Sequence, residues 1–315
     1  MINEFQQLIY TVLPTNPNKA WFRILVVLGI LLLIIIWYKR IDIYTLNEGF
    51  RQDSRFVLKR DDAIYDEFYV ELYNKIHQPE KQCAFIVENV VSMTQPSKKS
   101  VMLDVGSGTG QLTNALHTSG YVVYGIDKSQ AMVDYCENRY PDVPVKCGDI
   151  TVPMTYDRNT FSHVLCCGMM IYQFADKAAF FRNCYYWLVP NGYLVLHLVD
   201  RSKFDTIIPA GKPPLLDESP QKYAEKRITS TDIDFSDFKY KSSYDFSKKD
   251  TATLTETMTD SANSVRQNEL TLYMEDYNDI LRIAQKNGFI VHGQVNLLEC
   301  IGDEHQYFFV LERPL

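Results

Sequence analysis

Asp104 and the three glycines that follow it at two-residue intervals are the residues of this sequence best suited to hold a ligand. In the run VMLDVGSGTG, Gly106, Gly108 and Gly110 lie between an apolar, strand-like stretch and a helix-like stretch. Glycines at such a turn allow positive φ and a close approach of the backbone to a ligand. A dinucleotide-binding loop has the pattern G-x-G-x-x-G, with a pyrophosphate over the helix N-terminus. Here the spacing is G-x-G-x-G behind a carboxylate, which favours a ligand that bears an ammonium group.

Two further carboxylates follow the next two strand-like stretches. Asp127 ends VVYGID, and Asp149 stands in CGDI. A carboxylate at the end of the second strand can accept hydrogen bonds from both ribose hydroxyls, and Asp149 lies near the edge where an adenine amino group would be read. With Asp104, these positions predict a nucleoside with a positively charged amino-acid tail, and S-adenosylmethionine has that form.

Alternating strand-like and helix-like segments position these residues at one edge of a sheet. Strand, helix, strand at this spacing predicts a parallel sheet with helices on both faces. The predicted strands are residues 101–105, 121–126, 143–147, 161–167 and 193–199. Helices are expected at residues 61–77, 79–91, 111–117, 129–140 and 176–188, the last stopped by Pro190-Asn191-Gly192.

The second half of the chain has a different pattern. The stretch from Arg201 to Gln221 is rich in Pro and Gly and predicts a linker or lid, and residues 228–274 alternate in strand fashion, which indicates a small antiparallel sheet. A helix at 276–287 then leads to two last strands, 289–298 and 306–312. The expected organisation is a core over 61–200, a substrate lid or antiparallel insertion over 201–275, and a C-terminal part of the core over 276–315.

Taken together, these motifs resemble the class I S-adenosylmethionine-dependent methyltransferases. The match runs from about Tyr65 to the C-terminus and rests on the D-x-G-x-G-x-G loop, Asp127, the Gly148-Asp149 pair, the LVPNGYLVL turn and strand, and the late antiparallel hairpin. The resemblance implies an α/β, Rossmann-like fold with a mostly parallel seven-stranded sheet, helices on both faces and an antiparallel β insertion after the fifth strand. Within this family the chain looks loosely similar to small-molecule N-methyltransferases, including those that act on macrolide aminosugars.

The resemblance also implies which residues contact the cofactor, S-adenosyl-L-methionine. The backbone carbonyl near Cys167 is among these contacts and would receive the ammonium group. The implied cofactor-binding residues are Tyr65, Asp104, Gly106, Gly108, Gly110, Asp127, Lys128, Met132, Asp149, Ile150, Cys167 and Gly168.

Candidate catalytic residues follow the fourth and fifth strands, because ligands of such sheets lie over the C-terminal strand ends. They are Tyr172, Gln173 and His197. Methyl transfer from a sulfonium needs a base only if the nucleophile carries a proton that must leave, and the family position that often holds His or Asn aligns with Gln173. The alternative for His197 is a hydrogen-bonded core histidine. Tyr65 and Tyr69 would either fold over the methionine tail or pack in the core.

No metal site is expected from the cysteines. The seven cysteines include no CxxC pair, and Cys166 and Cys167, being adjacent in a strand, point to opposite faces. We therefore interpret them as reduced core thiols.

Residues 20–38, AWFRILVVLGILLLIIIWY, predict one transmembrane helix between an N-terminal tail, 1–19, and a juxtamembrane linker, 39–60. Arg23 is the only charged residue in this segment, and 19 helical residues reach roughly 28 Å. Basic residues are more numerous after the segment than before it, so the positive-inside rule places the catalytic body on the cytoplasmic side. The alternatives are a buried core helix and a cleaved signal peptide.

The charge of the body argues against nucleic-acid partners. The whole chain has a net charge of −7 and is 46% hydrophobic and 23% charged, which is typical of a folded globular protein. Residues 41–315 hold 28 basic against 38 acidic side chains, so they should repel a phosphate backbone. The leading hypothesis is a membrane-tethered methyltransferase for a small-molecule or lipid acceptor. The alternatives are a membrane-anchored scaffold that binds the nucleoside without catalysis and a protein methyltransferase, and the oligomeric state stays open.

Overall fold

The computed structural model describes residues 25–35, 55–212 and 219–315. Residues 25–35 are helical and belong to a unit separate from the compact body, Asp53–Leu315. Among these described residues, no helix is both long enough and apolar enough to cross a membrane. The predicted tail, both ends of the predicted span and much of the predicted linker (1–19, 20–24, 36–38 and 39–54) lie outside the described residues, as do residues 213–218 of the predicted lid.

A seven-stranded sheet forms the centre of the body, as the sequence predicts. The strand order is β11-β12-β6-β5-β2-β3-β4. Strands β4, β3, β2, β5 and β6 pair in parallel, whereas β12 pairs antiparallel with both β6 and β11. Its strands are β2 (Val101–Val105), β3 (Val122–Asp127), β4 (Val145–Cys147), β5 (Phe161–Cys166), β6 (Leu188–Val199), β11 (Ile290–Leu297) and β12 (Asp303–Arg313).

Helices connect these strands and begin at well-formed caps. Asp66, Ser129, Asp176 and Asp276 each accept a backbone N–H of the first helical turn, which satisfies donors that a helix cannot pair internally. The helices are α1 (Glu67–His77), α2 (Glu80–Thr94), α3 (Gln111–Thr118), α4 (Gln130–Arg139), α5 (Lys177–Trp187), α6 (Tyr277–Lys286) and the short α7 (Leu298–Ile301).

One predicted boundary is wrong. We expected Pro190-Asn191-Gly192 to form a turn after α5, but β6 starts directly after Trp187 and these three residues lie within its first half. The pairing of β5 with β6 has an irregularity between Phe161 and His163, and Asn191 has a φ of 58°. The turn-forming residues therefore mark a distortion within a strand.

A second sheet of five strands contains the predicted insertion, in the order β1-β10-β9-β8-β7. Four of its strands come from the segment between β6 and α6 and pair antiparallel. The fifth, β1, was expected to be part of a juxtamembrane linker, but it pairs in parallel with β10. The strands are β1 (Phe56–Arg60), β7 (Ser230–Asp234), β8 (Phe238–Asp245), β9 (Thr251–Asp260) and β10 (Val265–Tyr273).

Two clusters of buried side chains hold the body together. The larger joins the central sheet to α5, α6 and the second sheet, and includes Trp187, Leu254 and Met274. The smaller packs α2 and α3 against the other face, through residues such as Ile86 and Leu116. The second sheet thus shares the core of the first and can contribute side chains to the edge where the parallel strands end.

Candidate active site

A cavity of about 520 Å³ opens at the C-terminal ends of β2, β3 and β5. This volume lies in the range of small-molecule sites. Its lining comes from the loops after β2, β3, β4 and β5, from the segment 61–86, from the first turns of α3, α4 and α5, and from β10 of the second sheet. Parallel strands direct their following loops to this edge, which is where ligands of such sheets bind.

The glycine loop after β2 forms the floor of the cavity. Gly106 and Gly108 both line it, with φ values of 67° and 51°. A Cβ on Gly106 would lie 2.7 Å from the sulfur of Met170, which also lines the cavity. A side chain at Gly106 would therefore displace Met170 as well as strain the backbone.

Asp104 is a buried carboxylate at the same end of the cavity, with 3% of its surface exposed. The hydroxyl of Thr113 donates a hydrogen bond to its Oδ2 at 2.7 Å. Burial raises the pKa of Asp104 to about 7, although the bond from Thr113 lowers it. A cationic group in the cavity would favour the charged form of this carboxyl.

Asp127 and Asp149 lie at the ends of β3 and β4 and both line the cavity. The carboxylate of Asp127 accepts the N–H of Gly108 at 2.8 Å and that of Ser129 at 2.9 Å. Burial raises the pKa of Asp127, while these backbone donors lower it. Asp149 accepts both the N–H and the hydroxyl of Thr151. Each carboxylate is held in a fixed orientation by local donors, as a ligand-orienting group requires.

The opposite wall is closed by Tyr65 and Gln173. The side-chain amide of Gln173 donates to the hydroxyl of Tyr65 at 3.1 Å, and both residues line the cavity. Burial raises the pKa of Tyr65 well above its ordinary value, so this phenol stays protonated at neutral pH. The pair can position an acceptor by hydrogen bonding and does not form a general base.

Most of the predicted cofactor residues are brought together in the cavity lining. Gly110 is not among them: a Cβ there would lie 2.1 Å from the sulfur of Cys136, so this glycine serves the packing of α3 against α4. The predicted cofactor residues that line the cavity are Tyr65, Asp104, Gly106, Gly108, Asp127, Lys128, Met132, Asp149, Ile150, Cys167 and Gly168.

Two of the three predicted catalytic residues are in the core, and only Gln173 reaches the cavity. Tyr172 is fully buried, and its hydroxyl accepts the N–H of Val199 at 2.8 Å. His197 is 3% exposed and contacts the N–H of Met169 and the side chain of Gln306. Neither side chain lines the cavity, so the structure places neither Tyr172 nor His197 in contact with a substrate there, contrary to the expected direct catalytic role.

Apart from Tyr65, the lining residues from the segment 61–86 and from β10 were not predicted from the sequence. Tyr73 of α1 lines the cavity, whereas Tyr69 lies behind it and donates to Glu256 at 2.6 Å. Four-residue spacing on a helix put Tyr65, Tyr69 and Tyr73 on one face, but only the packing of the second sheet decides which of them reaches the ligand. The other unpredicted lining residues include Asp61, Asp62, Phe174, Leu270, Thr271 and Tyr273.

The residues present fit S-adenosylmethionine. A buried carboxylate faces the cavity at the position that would receive an ammonium group, and a glycine loop allows close backbone approach. Asp127 and Asp149 would hold the ribose and the adenine. Within the described ranges, no group of three or more His, Cys, Asp or Glu side chains is arranged to hold a metal ion.

Known proteins are similar to part of this chain. Residues 103–196 match the family model described as a methyltransferase domain. Over 105 residues the chain is 29% identical to the ubiquinone biosynthesis O-methyltransferase of Coxiella burnetii, an alignment that covers 32% of this chain and 44% of that protein. The chain therefore spans less than half the length of this curated relative.

Solved structures share the fold over most of the chain. An S-adenosylmethionine-dependent methyltransferase from Clostridium acetobutylicum has a TM-score of 0.58 and 16% identity, and covers 75% of this chain and 92% of its own. CalS10, an amino pentose methyltransferase from Micromonospora echinaspora solved with S-adenosylmethionine bound, has a TM-score of 0.52 and 18% identity, and the match covers 74% of this chain and 91% of that chain. Residues 103–196 are therefore identified as a methyltransferase domain, with S-adenosylmethionine as its cofactor.

Proposed function

We propose that this protein transfers a methyl group from S-adenosylmethionine to a small-molecule or lipid acceptor. The observation that carries the proposal is the single cavity in which Asp104, Asp127 and Asp149 meet the glycine loop. The same cavity extends to β10, where Leu270 and Tyr273 form a wall that belongs to the second sheet. This wall lies beyond the strand ends that bind the cofactor, so it offers a place for the acceptor.

Methyl transfer requires the protein to position the two reactants and to exclude water. S-adenosylmethionine, when bound, supplies an electrophilic methyl group on a sulfonium. Tyr65 and Gln173, hydrogen-bonded to each other in one wall of the cavity, would orient the acceptor, while Phe174 and Tyr273 keep that end apolar. Holding two reactants in contact in a dry pocket accounts for much of the rate of such a displacement.

A membrane tether is part of the proposal. The segment 20–38 holds a single charged residue, Arg23, and its described part, residues 25–35, is helical with its leucines and isoleucines exposed. Exposed apolar helix surface of this extent is stabilised by lipid. The excess of basic residues after the segment supports a cytoplasmic position for the body. Tethering would raise the local concentration of a membrane-borne acceptor.

Cofactor binding is the first test. We expect S-adenosylmethionine to bind the full chain with micromolar affinity in a calorimetric titration. Asp127→Ala should weaken it by about 1–3 kcal/mol, because a buried hydrogen-bond partner is lost. Asp142→Ala removes an exposed aspartate outside the cavity and should leave binding unchanged. A folded chain that does not bind would refute the proposal.

Transfer itself is tested with labelled cofactor and extracts of lipids and of soluble metabolites. A labelled product from either extract supports catalysis and names the acceptor class. Binding without transfer to any extract would instead favour the non-catalytic alternative.

The tether is tested by fractionation. The full chain should remain with membranes after alkaline washing, and Leu31→Arg should release a fraction of it, because a central arginine costs about 2.5–3.5 kcal/mol on insertion. Leu315→Arg, at an exposed terminal residue, is the matched control. A parent chain that is washed off completely would contradict the tether.

A further inference from the structure

One wall of the cavity is a separate covering segment, residues 61–77, which we call the roof. It consists of a 3-10 turn, Asp61–Ile64, followed by α1. The roof supplies Asp61, Asp62, Tyr65 and Tyr73 to the cavity lining. Any movement of the roof would therefore change the shape of the cavity.

The roof is bound to the five-stranded sheet by buried, charge-assisted contacts. Arg266 of β10 is 2% exposed, and its guanidinium donates to both oxygens of Asp66 at 2.8 Å and to the carbonyl of Ile64 at 2.9 Å. The hydroxyl of Tyr69 donates to Glu256 of β9, which is 3% exposed. Breaking the Arg266–Asp66 contact would leave a guanidinium uncompensated in the interior, which is strongly unfavourable.

On the other side, the roof is bound to the strand-end loops by contacts of a weaker kind. Lys128, after β3, lies 2.5 Å from Asp62, and these side chains are 52% and 66% exposed. The other hydrogen bonds on this side are neutral. Ser129 donates to the carbonyl of Tyr65 at 2.6 Å, and Gln173 donates to its hydroxyl. Asn74 of α1 accepts the hydroxyl of Thr109 at 2.7 Å and donates to the hydroxyl of Tyr135 at 3.3 Å. Exposed ion pairs and neutral hydrogen bonds cost little to exchange for water.

Lys128 is central to this weaker side because it contacts two carboxylates at once. Besides Asp62 on the roof, its ammonium lies 3.3 Å from Asp149, which lines the cavity after β4. All three side chains line the cavity. The ammonium thus connects the roof to the wall at which the adenine is expected.

We propose that Lys128 is a positioning residue that latches the roof over the bound cofactor, and that the roof opens along the Lys128–Asp62 edge to admit and release it. This inference rests on the proposed function. Because the roof stays attached to the five-stranded sheet, Tyr65 and Tyr73 complete the acceptor end of the cavity only when the latch is closed. The cofactor consequently binds before the acceptor.

The test is a double-mutant cycle on cofactor release from the full chain, with S-adenosylmethionine as the probe. Lys128→Gln and Asp62→Asn should each raise its dissociation rate about two- to fivefold, and the double variant should add nothing further. Lys128→Arg should keep the parent rate. Arg60→Gln breaks an exposed pair with Glu269 of similar length, 2.8 Å, outside the cavity, and should leave the rate unchanged.

A second measurement follows the roof itself without cofactor. Hydrogen exchange of the amides of residues 61–66 should be faster in Lys128→Gln than in the parent, while the amides of β9 should be unaffected. A merely structural effect of the substitution would accelerate both segments.

The outcomes separate the two proposals. If the parent does not bind S-adenosylmethionine, the proposed function fails, and the latch fails with it. The latch is wrong if the parent binds but Asp62→Asn leaves the dissociation rate unchanged, or if the effects of the two single variants add. Lys128 would then act on the nucleoside part of the cofactor or on Asp149 alone.

Discussion

The Nδ1 atom of His197 lies 3.2 Å from the backbone nitrogen of Met169 and accepts its hydrogen bond. This geometry puts the ring proton on Nε2, which donates to Oε1 of Gln306 at 2.9 Å. Met169 has a φ of 61° and stands between Gly168 and Met170, both of which line the cavity. His197 therefore supports a strained loop of the site from within the core.

Replacing His197 tests this supporting role. Burial lowers the pKa of His197 to about 4, so the ring is neutral at physiological pH. His197→Leu leaves the Met169 N–H without its partner and should weaken S-adenosylmethionine binding about fivefold, the equivalent of one neutral hydrogen bond. His197→Asn offers an acceptor near the Nδ1 position and should recover part of this loss. The two variants are compared by calorimetric titration.

The pH dependence of transfer distinguishes support from catalysis. If His197 were a general base, its loss would remove a limb of the rate profile. We expect His197→Asn to keep the shape of the parent profile between about pH 5 and 8, because a group with a pKa near 4 does not titrate there. A change of shape would contradict the supporting role.

The raised pKa of Asp104 should make the affinity for the cofactor depend on pH. Its pKa is raised to about 7 by burial, and an ammonium group binds to the ionised form. Affinity for S-adenosylmethionine should therefore increase up to about tenfold per pH unit below pH 7 and level off above it. Titrations in buffers of different ionisation enthalpy should show proton release on binding near pH 6.

Without ligand, Asp104 has the opposite effect on folding stability. The unfolded chain releases this proton near pH 3.8 and the folded chain near 7. The contribution of Asp104 to the free energy of unfolding is fully present below about pH 4. It is lost as the pH rises to about 7, and the loss is roughly 4 kcal/mol at most. Asp104→Asn should remove both dependences. An unchanged pH profile in this variant would contradict the assignment.

A side chain at Gly110 should produce a packing defect. Alanine at this position would have to adopt a φ of 79°, and its Cβ would lie 2.1 Å from the sulfur of Cys136. Backbone strain and overpacking together should destabilise the fold by about 2–4 kcal/mol. Adding Cys136→Ala removes the clash but not the strain, so chemical denaturation should show partial recovery. A double variant as unstable as Gly110→Ala would place the whole effect in the backbone.

The side of the site built by the parallel strands could be predicted from the sequence because it depends on local order. Asp104, Asp127 and Asp149 each lie at or just after the C-terminal end of a strand-like stretch, and parallel strands bring such positions to one edge. Burial depth could not be predicted in this way. Alternation along β6 tells which face His197 takes, but only the packing of Phe308, whose ring lies 5.1 Å from the imidazole, shows that this face is closed.

The remaining walls depend on long-range pairing that no local pattern shows. Asp61 reaches the cavity because β1 pairs in parallel with β10, and its carboxylate accepts the N–H of Thr271, 210 residues away, at 2.9 Å. The five residues of β1 are too few to give a clear periodic signal. The sequence therefore places Leu270 and Tyr273 in a lid, but it does not show that they share a cavity with the cofactor residues.

Lys177 connects the acceptor wall to the central sheet. It is 2% exposed, and its ammonium donates to the carbonyls of Phe174 at 3.1 Å and Tyr273 at 2.8 Å and lies 2.6 Å from Glu275. Both carbonyls belong to residues that line the cavity: Phe174 follows the 3-10 turn after β5, and Tyr273 ends β10 of the second sheet. The lysine thus fixes the width of the acceptor end, and burial lowers its pKa although Glu275 raises it.

Removing the ammonium group of Lys177 should weaken folding stability and acceptor binding more than it weakens the binding of S-adenosylmethionine. We expect Lys177→Met to destabilise the fold by about 2–4 kcal/mol, because Glu275 and two carbonyls lose their partner. Adding Glu275→Gln removes the unpaired charge and should restore part of that stability in chemical denaturation. Affinity for S-adenosylmethionine should stay within about threefold of the parent in both variants, because the glycine loop and Asp127 are untouched. Loss of cofactor affinity in proportion to the loss of stability would show that the two ends of the cavity are not independent.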